Sequence, residues 1–191
     1  MVILKPPQGE VFQCAARFRV LVAGRRFGKT FLALTELIRA ALRPGCLAWY
    51  VCPSYRMAKR ICWKLLKEMT RPFWASKPNE TDLRIELISG GSICLKGADN
   101  YDSLRGDGLD FLVLDEYASM APEAWTEVLR AALADRARSS VIYRDAAGLQ
   151  PFPRPGRSCA DPRGLEGLPL HHRRGRPCHA GRTGKRGAGT R

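Results

Sequence analysis

Gly28, Lys29 and Thr30 stand in a row, and Asp115 and Glu116 form a second pair about 85 residues later. A magnesium–triphosphate site needs these residue types. It requires backbone N–H groups aimed inward, a helix N-terminus beneath them, a lysine for the phosphate oxygens and a hydroxyl for Mg2+. The stretch Ala23, Gly24, Arg25, Arg26, Phe27, Gly28, Lys29, Thr30 supplies all of them, directly after an apolar run and directly before a helical pattern. Ala23 occupies the first-glycine place of G-x-x-x-x-G-K-[ST]. Alanine fits there with φ negative, and Gly24 stands beside it. Asp115 closes the apolar run FLVLD and is placed to hold Mg2+ through water, while Glu116 can polarise an attacking water. An isolated Asp-Glu pair would read as a surface cap; the loop upstream decides for the site. A glutamate beside the metal aspartate favours ATP hydrolysis over transfer to a small acceptor. For Arg25 and Arg26 three readings stay open: a γ-phosphate contact, a contact with a neighbouring subunit, or a solvated rim.

These groups must be delivered by buried strands and helix N-termini. VLVA before the loop, CLAWYVC (46–52) and LDFLVLDEYA (109–118) are apolar runs without alternation. KTFLALTELIRAALR repeats apolar residues at helical spacing and stops at Pro44-Gly45. Residues 55–69 read as an amphipathic helix with a basic outer face and Trp63 turned to the core, and 121–135 as a helix with Pro122 in its first turn. Residues 83–97 alternate, turn at Gly90-Gly91 and alternate again, which predicts a β-hairpin. Unalternating strands interleaved with helices predict an α/β fold: a parallel sheet with helices on both faces and the hairpin as an insert.

Composition narrows the setting. No run of 18 apolar residues is present, so no membrane span is expected, and the opening MVILKPPQGE is too short an apolar run for a secretory signal. Seven cysteines without a C-x-x-C pair argue against a disulfide or metal framework and for a reducing cytoplasm. Cys46, Cys52 and Cys94 lie in apolar runs and read as small core hydrophobes. The net charge is +14, but residues 1–136 carry only +5 and residues 137–191 carry +9.

With both motifs in place, the body resembles the ATPase domain of the large terminase subunit of tailed bacteriophages. The matching pieces are KPPQGEVF, RFRVLVAGRRFGKTFLA, YVCPSYRMAKRICW, IELISGGSICLKGADNYDSLRGDGLDFLVLDEYASM and WTEVLRAALADR, together nearly all of residues 5–136. The resemblance implies a P-loop motor of the ASCE type, with ATP and Mg2+, that drives double-stranded viral DNA into a procapsid. It further implies a portal protein and a small terminase subunit as partners, a homo-oligomeric ring in the full-length protein, and work in the host cytoplasm at the procapsid portal. On the matching positions, Gln8 becomes the adenine-side glutamine, Lys29 and Thr30 the phosphate and Mg2+ contacts, and Asp115 and Glu116 the metal and water residues. Arg25 and Arg105 become candidate charge-neutralising arginines, with a structural salt bridge as the alternative for Arg105. A helicase-like nucleic-acid-dependent ATPase and an inactive nucleotide-binding remnant are the rival readings.

After about Arg136 the sequence changes character. The remainder holds 9 Gly and 6 Pro with little periodicity and few acids, a composition expected to be disordered. The family resemblance implies a further strand ending near G-T-P and then a nuclease domain, and neither is spelled there. Read from the second base of each codon, however, residues 138–152 permit A-L-x-x-F-I-G-T-P-x-G-F-N-x-F. The expectation is therefore an incomplete ATPase domain over 1–136, short of its last core strand, and an out-of-frame tail over 137–191.

Overall fold

The computed structural model describes residues 3–24, 26–134 and 139–145, the last segment by its backbone. In chain order the elements are α1 (Pro6–Gln13), β1 (Phe18–Ala23), α2 (Lys29–Ala41), β2 (Leu47–Cys52), α3 (55–70), β3 (Arg84–Glu86), β4 (Ser92–Gly97), β5 (Phe111–Leu114), α4 (122–132) and β6 (Ser139–Asp145). Helix α3 is π-wound over Lys59–Trp63 and α4 over Ala124–Leu129.

The strands form one sheet in the order β1-β6-β5-β2-β4-β3, parallel throughout except for the β3/β4 pair. The predicted α/β architecture is thus present. The hairpin is not an insert, though: β4 pairs in parallel with β2, so its second strand belongs to the main sheet and β3 forms the edge. Its turn uses Gly90 at φ +78°. Gly97, ending β4, lets the first turn of α3 come down on the strand, since a Cβ there would lie 2.2 Å from Tyr55 N.

A second difference is larger. The sheet does not end at Arg136: Ser139–Asp145 enters between β1 and β5 and pairs in parallel with both. The strand expected to be missing is there in backbone terms. Its run SSVIYRD is more than half polar and followed by Ala-Ala-Gly, so its local pattern gives no strong strand signal; two facing ladders supply what the pattern lacks. The rest of the compositionally expected tail, 146–191, falls outside the described residues.

The pleat of the central strands sorts the core into two layers. Ala48, Tyr50 and Cys52 of β2 join Phe111 and Val113 of β5 in one layer, under α1, α2 and α3. Trp49 and Val51 join Leu112 and Leu114 in the other, under α4, where Trp125 meets the Phe18 ring edge-on with centroids 6.2 Å apart. Cys46, Cys52, Cys62 and Cys94 are buried free thiols, as their apolar surroundings imply.

One charge pair is locked inside the first layer. Arg19 of β1 and Glu36 of α2 are 3% and 0% exposed and form a two-pronged salt bridge, and Arg19 also donates to Val11 O at 3.0 Å. The guanidinium therefore ties the end of α1, β1 and α2 together. Burial pushes the Glu36 carboxyl above its usual range, against the pull of Arg19. Removing one partner leaves the other charged and dry, so Glu36→Ala should lower unfolding stability by about 3–5 kcal/mol in urea denaturation, whereas the apolar double replacement Arg19→Met/Glu36→Leu should lose far less.

Candidate functional site

The loop between β1 and α2 is shaped by backbone alone at its tightest point. Gly28 has φ +86°, a left-handed conformation that strains any L side chain, and a Cβ there would also sit 2.6 Å from Gln8 Nε2. Helix α2 starts at Lys29, so Thr30 lies in its first turn, where the N–H groups have no partners within the helix. Lys29 Nζ reaches back to donate to Ala23 O at 3.0 Å, spanning the loop from one end to the other. Phe27 anchors the loop by packing against the core, while Arg26 is exposed at φ +67°. Arg25 lies outside the described residues.

Gln8 is brought to this loop from α1, but not as the sequence suggested. It is 3% exposed, and its Nε2 donates to Phe27 O at 3.0 Å and Gly28 O at 3.3 Å. Its Oε1 accepts from Lys5 N at 2.9 Å. Both ends of the amide are engaged with backbone, so in this structure Gln8 braces the loop instead of presenting a free edge to a base.

Asp115 stands at the carboxyl end of β5, 4% exposed, with its N–H donating to Val51 O at 2.9 Å. Its carboxylate accepts from Tyr50 Oη at 2.5 Å and from Glu116 N at 3.1 Å. Burial pushes the Tyr50 phenol well above its ordinary range, which keeps it a donor, and pushes the neighbouring Cys62 thiol up to about 12. Glu116 follows at φ +55°, a left-handed conformation that costs a non-glycine residue on the order of 1 kcal/mol. The chain turns there sharply into Tyr117–Ser119 and carries the Glu116 side chain away from the strand line.

The two halves are set apart by β6. Leu114 is level with Ile142, which is level with Val20. Asp115 therefore sits about two strand spacings, roughly 10 Å, across the sheet from the residue that follows Val20, with the loop just beyond it. That gap suits a triphosphate and its metal. Among the described residues no three His, Cys, Asp or Glu side chains converge as a metal site. The donor set is one buried carboxylate and the Thr30 hydroxyl, which suits Mg2+, an ion that keeps several waters and takes its remaining oxygens from phosphates.

Arg105 is not drawn into this cluster by any of its contacts. Its Nε donates to Asp102 at 3.1 Å and its terminal nitrogen to Glu127 at 3.3 Å, tying the turn Tyr101–Leu104 to α4. About half of its side chain is exposed. The sequence does not single out Tyr50, because a tyrosine inside an apolar run reads as core.

Residues 20–147 match the family described as terminase large subunit, T4likevirus-type, N-terminal. The match runs through the end of β6. The terminase large subunit of Thermus phage G20c is 27% identical over 162 residues, covering 74% of this chain and 33% of that protein, so the chain spans about a third of this curated relative. The large terminase ATPase domain of Thermus phage P74-26 superposes with a TM-score of 0.61 at 26% identity, covering 72% of this chain and 62% of that one. The large terminase of another thermophilic bacteriophage, solved in complex with ATP-γ-S, has the same fold at a TM-score of 0.59 and 16% identity, over 74% of this chain and 38% of that one. With the family match extending over residues 20–147 of 191, the chain belongs to the N-terminal domain family of phage terminase large subunits.

Proposed function

We propose that this domain hydrolyses ATP with Mg2+ and that the whole protein uses the hydrolysis to package double-stranded viral DNA. The observation that carries the reading is the pairing of a left-handed Gly28 and the α2 N-terminus with a buried Asp115 two strands away. Lys29 and Thr30 take the phosphates and the Mg2+, Asp115 completes the metal's contacts, and Glu116 activates water. Amides from Ala23 to Gly28 cradle the phosphates, and Arg25 or Arg26 neutralises the γ-phosphate or reaches a neighbouring subunit. Arg105, exposed and poised between two acids, is available to a neighbour's site in a ring. The portal protein, the small terminase subunit and the ring itself come to this chain through its family, as does a place in the host cytoplasm.

The sequence after Arg136 supports a further reading about the gene. The alternative frame permits F-I-G-T-P over residues 142–146, the end of β6 and the residue after it. We take residues 137–191 as out-of-frame; a strand ladder is made of backbone groups, so a change of frame does not by itself forbid β6. Sequencing the DNA across those codons decides it: an alternative frame without that motif ends the idea.

The hydrolysis reading is tested by phosphate release from ATP, with and without double-stranded DNA. Lys29→Ala should abolish nucleotide binding, and Glu116→Gln should keep binding while lowering turnover by about 10²–10⁴-fold. Gln8→Ala separates two roles. If the glutamine braces the loop, ATP and GTP affinities fall together; if it reads the adenine edge, ATP affinity falls alone.

A further inference from the structure

Beneath the proposed metal site, two buried side chains from neighbouring strands are hydrogen-bonded to each other. Tyr50 of β2 is fully enclosed, and its hydroxyl donates to Asp115 Oδ2 at 2.5 Å. Cys62, in the π-wound turn of α3, is buried in the same core layer. On the other side of the carboxylate, Oδ1 accepts from Glu116 N at 3.1 Å. The remaining neighbours of the phenol ring in this layer, among them Ala48, Cys52 and Val113, are apolar or nearly so. A phenylalanine would fill the same space, so packing alone does not account for the hydroxyl.

The hydroxyl does one thing that packing cannot. The torsion that turns an aspartate's carboxylate is broad and two-fold, so a strand by itself leaves the plane of that group loosely set. A donor on each oxygen fixes the plane. A carboxylate offers about four acceptor positions, so these two bonds orient it without exhausting it. Groups behind a metal ligand commonly tune the ligand in this way.

We infer that Tyr50 is a positioning residue for magnesium: it holds the Asp115 carboxylate in the orientation that meets the Mg2+ of a bound nucleotide. The inference rests on the proposed ATP–Mg2+ reading of the same site.

The experiment titrates Mg2+ into the 191-residue chain with a fluorescent ATP analogue and repeats the binding in EDTA. Tyr50→Phe should raise the Mg2+ midpoint by about 10–100-fold and leave the affinity in EDTA unchanged. An unchanged midpoint in Tyr50→Phe, or an equal loss with and without Mg2+, overturns the inference by making the bond purely structural. Circular dichroism checks folding. If Tyr50→Phe does not fold, Tyr50→Met, which also removes the hydroxyl, decides in its place, and a midpoint that stays at the wild-type value overturns it. A wild-type chain that binds the analogue in neither condition overturns the nucleotide reading itself.

Discussion

A parallel sheet brings the carboxyl ends of its strands to one edge, and everything proposed for this protein depends on that constraint. Strands β1 and β5 both deliver their last residues there, one into the loop that ends at Gly28, the other into Asp115. Neither strand touches the other. Strand β6 lies between them, hydrogen-bonded to both, and the width it adds sets the loop apart from the Asp115 carboxylate, with room between for the proposed nucleotide. Remove that strand and the two chemical halves lose their common frame.

Around that edge the chain is held in conformations it would not choose alone. Gly28 and Glu116 both have positive φ, one at no steric cost and one at some; Gly28 caps the start of α2 and Glu116 turns the chain after buried β5. The strain is sustained by bonds from elsewhere. Gln8, from a helix outside the sheet, clamps the carbonyls of Phe27 and Gly28, and Tyr50, from the neighbouring strand, clamps the carboxylate next to Glu116. The site is therefore braced from below by side chains that touch no phosphate.

Polar groups in the core follow the same economy. Arg19 and Glu36 pair with each other and cross-link three elements of one layer, with Arg19 Nε left unbonded, and Tyr50 gives its only donor to Asp115. Each is buried where an apolar residue would be simpler, and each links a strand to the next piece of structure that must not move relative to it. Trp49 Nε1 has no such partner among the described residues, while the indole ring lies under the Lys96 ammonium, 5.2 Å from its centroid.

The sequence by itself determined the fold class and the loci of chemistry. Unalternating strands between helices permit few other packings, and the loop and the Asp115-Glu116 pair are local patterns whose spacing along the chain carries their meaning. Helix α1 was not read as an element, because an eight-residue stretch opening on two prolines has too little periodicity to register. Only the tertiary structure decided which strands are neighbours, and so that β4 is part of the main sheet and that Ser139–Asp145 lies between β1 and β5. It also turned Gln8 to the loop, Arg105 to Asp102 and Glu127, and Tyr50 to Asp115. Those contacts join residues 3 to 65 positions apart. Local pattern records a residue's exposure and period, but not the partner that a fold brings to it from elsewhere in the chain.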